Sequence, residues 1–432
     1  MKRLVTALCG AALVFALGSC TNKNAATSSS TASSSTTPSA APAATSTSTI
    51  GGSITIWLDN DTWANALIEA FNKKYPDVKV TYQNVGSVDT RGKVSLDGPA
   101  GIGPDVFIMA HDHMGNAMID GICEPFPADL VAKYKPLLLD ASLATATFEG
   151  DLYGVPVSTE NIAFFYNKDL LGDTPVPTSF EEVQAFAQRW NVPSENKWAL
   201  RWEVDNAYVS YFFLTAFGMR VFGPNMSDYK NPGWDSDAAR QGVEFYKSFK
   251  PYFNVNVADA TYDATTGAFQ RGEVPFTICG PWGIEDAKKN GVNFGITKLP
   301  TIAGNQPHCF AGNIIGAVSS YSKNFDAAFA FVDFMVSVEG ATIQYNTTGK
   351  LAAYKNIDSI PGLRDDVYLA GIQEQAPFAD PMPIIPEVNQ MWDAQKALFT
   401  FTWDDQLTVA EAQQKAMDTY DIALSAAGKS RN

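Results

Sequence analysis

The chain has 432 residues, of which 46% are hydrophobic and 18% charged, so it is neither a wholly disordered nor a many-times membrane-spanning chain. Lys and Arg number 31 against 46 Asp and Glu, a formal charge of −15, which leaves no basic footprint for sequence-independent nucleic-acid binding. At about 100–200 residues per domain the length predicts two or three domains. Aromatic residues make up 12% of the chain, enough for a large core and for rings lining a pocket.

The chain starts with a basic pair, Lys2-Arg3, and an apolar stretch over 4–18. That stretch has the length of a signal-peptide core and is short for a membrane span. It closes on Leu17-Gly18-Ser19-Cys20, which resembles a bacterial lipobox. The resemblance implies a signal peptide over 1–19, cleavage before Cys20 and lipidation of the Cys20 thiol. Losing Lys2 and Arg3 with the leader would take the charge from −15 to −17. Residues 25–49 are all Ala, Ser, Thr or Pro, so nothing there offsets the entropy of ordering. The segment 20–49 therefore reads as a disordered tether with a reach on the order of 30 Å. Of the five cysteines, Cys9 leaves with the leader. The last three, Cys123, Cys279 and Cys309, are an odd count and read best as buried thiols, with a Cys279–Cys309 disulfide as the alternative.

The body starts near Ile50. Ser53-Ile54-Thr55-Ile56-Trp57 alternates with the period of a strand. Asp59-Asn60-Asp61 is a turn and helix-start signal, and Trp63, Leu67, Phe71 and Tyr75 then recur every four residues up to Pro76. Val78, Val80 and Tyr82 mark a second strand, and the apolar run 105–109 a strand buried on both faces. Further strands are expected at 153–157, 162–166 and 275–279, and helices at 180–190, 238–249, 326–338 and 408–426. The alternation predicts an α/β body with largely parallel sheets.

Nucleotide-binding loops, nucleophile elbows and zinc-protease motifs are absent from the sequence. His111-Asp112-His113 suggests a metal at first sight, but no fourth ligand accompanies it, and a turn after a strand is the better reading. No metal, cofactor or catalytic residue is assigned.

Several segments, taken together, resemble the solute-binding proteins of ABC importers, closest to the maltose/maltodextrin-binding type. They are Ile56-Trp57 followed by Asp61, Gly103-Pro104-Asp105, Ala110-His111-Asp112, Tyr166-Asn167-Lys168-Asp169-Leu170-Leu171, Gly280-Pro281-Trp282, Leu299-Pro300-Thr301 and Met391-Trp392. They run in the family's order from about Ser53 to the C-terminus. The resemblance implies a periplasmic-binding-protein-like fold of type II: two α/β lobes, each a mostly parallel sheet flanked by helices, with a ligand cleft between them. One lobe would comprise 50–158 plus 312–362 and the other 159–311 plus 363–432, with crossings near Ser158, Ala311 and Gly362.

A sugar offers hydroxyls at its edge and a C–H face, so its site needs carboxylates, amides and flat rings. The resemblance carries hydroxyl-binding roles onto Asp61, Asp112 and Glu160, and stacking roles onto Tyr208, Trp282 and Trp392. Capping the next helix is the alternative for Asp61, a hinge hydrogen bond for Glu160 and core packing for the rings. Trp63 either stacks on the ligand or serves its helix's core face. The chain departs from the family pattern at Thr62, Met109, His113, Asn206, Asp393 and Lys396, where the compared member has Lys, Trp, Arg, Glu, Tyr and Arg. Of these, Thr62, Met109, Asn206 and Lys396 are kept as weaker ligand-binding candidates.

The function implied is a lipid-anchored extracytoplasmic receptor on a bacterial membrane, in the periplasm or at the cell surface. It would be a monomer that performs no bond chemistry and passes an oligosaccharide to an ABC permease. The alternatives are a secreted glycosidase using Asp112 and Glu160, a glycan-capturing adhesin, and a receptor for a peptide or polyamine.

Overall fold

The computed structural model describes residues 50–431; the leader, Cys20 and the tether lie outside the described residues. Strand β1 (Gly52–Leu58) pairs in parallel with β2 (Val78–Asn84) and β3 (Val106–Ala110) on either side. Between β1 and β2 runs helix α1 (Asp61–Lys74). Its N-cap is Asn60, whose Oδ1 accepts the Trp63 N–H at 2.9 Å. Trp63, Leu67 and Phe71 are buried against the sheet, and the helix ends before Pro76. Helix α2 (Thr90–Asp97) leads to β3, all of whose residues are buried, and α3 (Met114–Asp120) follows.

The chain then leaves this sheet along β4 (Val155–Asn161) and opens a second one with β5 (Ala163–Asn167). That second sheet is completed by β6 (Leu200–Arg201), β7 (Phe276–Cys279) and β8 (Phe294–Thr297), in the order β8-β5-β7-β6. Strand β9 (Cys309–Val318) carries the chain back and pairs antiparallel with both β3 and β4. Helices α4 (Phe180–Trp190) and α5 (Asp237–Lys247) belong to the excursion between β5 and β7. After β9 come α6 (Phe325–Met335), α7 (Val338–Thr348), α8 (Val367–Gln375) and the short strand β10 (Ala379–Pro381). The long α9 (Val388–Trp403) and α10 (Val409–Ala426) end the chain. The first sheet runs β10-β9-β3-β1-β2, with β4 also on β9.

The α/β architecture agrees with the sequence reading; both sheets are mixed, the first with three parallel and two antiparallel pairings and the second mostly antiparallel. In the second sheet β5 runs antiparallel to both β7 and β8, and only β6 and β7 are parallel. In the first sheet the antiparallel pairing of β4 with β9 follows from the connectivity. The strands that ferry the chain between sheets, β4 and β9, lie side by side in opposite directions because one carries the chain out and the other back. The helix expected over 326–338 is α6, which stops at Met335; Ser337 then caps a separate helix, α7, by accepting the Gly340 N–H. Alternate residues of β5 feed two packed layers. Phe164 stacks on Phe276 at 5.1 Å on one face, and Phe165 on Phe294 at 6.1 Å on the other. Cys123, Cys279 and Cys309 are free, buried thiols, as the odd count suggested.

Candidate ligand-binding cleft

The order β2-β1-β3 places a topological switch point between β1 and β3, because the connections that leave them go to opposite sides. In open α/β sheets ligands gather at such a crevice, beyond the carboxyl ends of the strands. A cavity of about 1000 Å³ lies there. It stands at the top of the roughly 300–1,000 Å³ range of small-molecule sites. Loops just beyond the carboxyl ends of strands in both sheets supply much of its lining: Asp59 after β1, Ser87 to Asp89 after β2, Asp112 and His113 after β3, Glu203 and Asp205 to Tyr208 after β6, and Trp282 after β7.

One wall is polar. Asp59 is the residue after β1, released from capping because Asn60 does that work. Asp112 sits on a single 3₁₀ turn, His111–His113, and is 3% exposed. The turn is held by its first residue. The His111 Nδ1 accepts the Asn313 N–H at 2.9 Å, which leaves Nε2–H to donate to the Met382 carbonyl at 3.2 Å. Burial holds the His111 pKa below its ordinary value, in keeping with a neutral imidazole in this brace. Glu160 lies on β4, on the same face as Ser158, whose hydroxyl donates to it at 3.2 Å. The Lys350 ammonium stands 3.2 Å from Glu160 and 3.5 Å from Asp59.

The other wall carries the rings. The Trp282 indole folds back over Gly280, where an added Cβ would collide with it, so the Gly280-Pro281-Trp282 motif has a steric reason. Tyr208 lies 6.4 Å from Trp282 and stacks on Phe310 at 5.9 Å. The Phe310 ring, fully buried on β9, also meets Trp392 edge-on at 5.7 Å. The Trp392 Nε1–H donates to Asp112 Oδ2 at 3.0 Å, so one hydrogen bond joins the two walls. Burial raises the pKa of Glu203 on this side, with neighbouring Asp205 adding to the effect.

Of the residues singled out in the sequence, Asp112, Glu160, Tyr208, Trp282, Trp392, Asn206 and Lys396 all line this cavity, as do His113 and Asp393. Four others do not. Trp63 is 1% exposed in the core beneath α1, the face its four-residue spacing with Leu67 and Phe71 dictates. Met109 is fully buried within β3, opposite Ile315 of β9. Asp61 and Thr62 lie exposed at the start of α1, outside the lining. Asp61 is not the cap but the first helical residue. Hydrogen bonds from Asn84 and Tyr82, each at 2.7 Å, lower its pKa.

The sequence reading missed Asp59, Asn313 and Lys350. The Asp59-Asn60-Asp61 turn was the available signal for the first: Asp59 lines the cavity and Asp61 does not. Among the described residues no cluster of His, Cys, Asp and Glu is arranged to hold a metal ion, and no helix is long and apolar enough to cross a membrane.

A two-sheet α/β body with an aromatic and acidic cleft at the strand ends defines a solute-binding protein. Residues 57–342 match the family described as bacterial extracellular solute-binding protein, and the chain belongs to that family. It is 28% identical over 356 residues to the galactooligosaccharide-binding protein of Bacillus subtilis (strain 168), covering 80% of this chain and 83% of that one. It is also 28% identical over 363 residues to a maltooligosaccharide ABC transporter solute-binding lipoprotein of Streptococcus pneumoniae (strain ATCC BAA-255 / R6), covering 79% and 82%. A solved cyclo/maltodextrin-binding protein complexed with maltotetraose superposes with a TM-score of 0.72 at 28% identity. That match spans 86% of this chain and 97% of the other.

Proposed function

We propose that the chain is an extracytoplasmic receptor that binds an oligosaccharide in this cleft and delivers it to an ABC permease, without breaking or forming a bond. The observation that carries the reading is the pairing of walls. Trp282, Tyr208 and Trp392 offer ring faces to a sugar's C–H face, and Asp59, Asp112, Glu160 and Asn206 offer oxygens and amides to its hydroxyls. The names of the relatives, galactooligosaccharide- and maltooligosaccharide-binding, and the maltotetraose in the solved neighbour favour an oligosaccharide of two or more units.

In this reading β4 and β9 are the hinge strands between an N-terminal lobe of 50–158 plus 312–362 and a C-terminal lobe of 159–311 plus 363–432. Ligand touches both walls only when the cleft is shut, so it stabilises the closed state by its differential contacts there. The closed monomer then docks on the permease. Cys20, lipidated after removal of 1–19, anchors the protein, and the tether to residue 49 gives it reach.

A thermal-shift panel of maltose, maltotriose, galactobiose, cellobiose, a tripeptide and spermidine tests the proposal. Ligand at about 100 times its dissociation constant stabilises the fold by about 2.7 kcal/mol. That amounts to a few degrees for a protein of this size. A shift with an oligosaccharide, and no reducing ends released on incubation, is the expected result. A shift confined to the peptide or the polyamine, or release of reducing ends, would overturn it.

A further inference from the structure

Among the described residues Lys350 is the one lysine or arginine that is buried, at 9% exposure. It comes directly after Gly349, whose positive φ of 67° ends α7 and turns the chain toward the cavity floor. A buried ammonium is costly to the fold unless its donors are used. An ammonium has three N–H donors. One points to Glu160 at 3.2 Å and one to Asp59 at 3.5 Å. The third has no partner among the described residues.

Two acceptors in the same cavity lining are in the same condition. Asp59 Oδ1 and Asn313 Oδ1 are buried without a hydrogen-bond partner, and both residues line the same cavity as Lys350. The cavity lining thus holds one unspent donor and two unspent acceptors. A sugar hydroxyl, which donates one hydrogen bond and accepts others, satisfies such a set, whereas an apolar group or a second cation does not. Burial works against the charge of Lys350. The adjoining Glu160 and Asp59 overrule it and hold the pKa above the ordinary lysine value, so the group is a cationic donor throughout the neutral range.

Resting on the oligosaccharide reading above, we propose that Lys350 is a specificity-determining ligand contact. It donates its third N–H to a hydroxyl or ring oxygen of the bound sugar while Asp59 and Asn313 accept from that sugar's hydroxyls. No local signal in the sequence marks Lys350, which reaches Asp59 across 291 positions of the chain.

The test is calorimetric titration of the full chain, purified in mild detergent, with maltotriose and with galactobiose. The wild type is compared with Lys350→Met and Lys350→Arg, each checked for its melting temperature. A charged hydrogen bond lost from a buried site weakens binding by at least about tenfold, so Lys350→Met should lose that much or more. A lysine that only neutralises Asp59 and Glu160 is replaceable by arginine. A ligand contact is not, because the fork displaces the donor. Lys350→Arg should therefore melt near the wild type and still bind at least about threefold more weakly, and it decides the question if Lys350→Met does not fold. Wild-type binding by either folded variant would overturn the Lys350 assignment alone. A wild-type chain that binds neither sugar would overturn the proposed function and the assignment with it.

Discussion

The two walls of the cleft solve the same recognition problem with opposite degrees of completeness. The aromatic wall is finished within the protein: Tyr208 and Trp392 both lean on the buried Phe310, and the Tyr208 hydroxyl donates to the Phe310 carbonyl at 3.3 Å. The polar wall is not, since Asp59 Oδ1, Asn313 Oδ1 and His113 Nδ1 are buried there without partners. A packed ring needs only to keep its position to be ready for a sugar face. Buried polar atoms left unpaired cost about 1–3 kcal/mol each. The comparison teaches that the aromatic wall is preorganised by packing and the polar wall by its backbone turns, and that the polar wall keeps buried atoms which the protein itself leaves unpaired.

The largest effect is expected where the walls meet. Trp392→Ala removes both a ring face and the bond to Asp112, and should weaken oligosaccharide binding by roughly 100-fold, about 2.7 kcal/mol for a desolvated aromatic anchor. Calorimetric titration reads this, and a loss below about threefold would detach Trp392 from the ligand. Gly280→Ala comes next: its Cβ would push the Trp282 ring out of place, and affinity should fall about tenfold with little change in melting temperature. Wild-type affinity in that variant would mean that the orientation of Trp282 does not matter.

An oligosaccharide that carries a uronate sharpens the contrast further. Asp59, Asp89, Asp112, Glu160, Glu203, Asp205 and Asp393 line the cavity against Lys350 and Lys396. The uronate analogue of any sugar that binds should be at least about tenfold weaker, since like charges in a low-dielectric cleft repel. Equal binding of the two would contradict the acidic-wall account.

The smallest effect concerns Glu203. Its pKa is raised in the folded state, so its neutral form stabilises the protein at low pH, and that contribution fades as pH rises through the folded value. Glu203→Gln should therefore melt slightly higher than the wild type at pH 7 and no higher at pH 4. A variant that melts lower at pH 7 would show that the ionised carboxylate is stabilised there.

The fold was largely legible because its signals are local. Trp63, Leu67 and Phe71 mark the buried face of α1, Pro76 its end, and the apolar run at 106–110 a fully buried strand. The same spacing already argued that Trp63 is core, and the continuous run argued the same of Met109. Strand direction was not legible: β5 pairs antiparallel with β7 and β8, which lie more than 100 residues further along the chain, and no local pattern carries that orientation. In the cleft, Trp282 and Trp392 stood in recognisable motifs, and Asp112 came directly after a buried strand. Lys350 and Asn313 are contributed by a loop and a returning strand, and long-range pairing alone brings them to Asp59 and His111.

Two tryptophans in the cavity wall make intrinsic fluorescence the direct probe of the central claim, that an oligosaccharide is held between the polar and aromatic walls. Titrating the full chain with maltotriose and galactobiose should give a saturable, one-to-one change with at least one of them. In Trp282→Ala the midpoint should move to at least about tenfold higher sugar. A flat response of the wild type to both sugars, or an unmoved midpoint in Trp282→Ala, would contradict it.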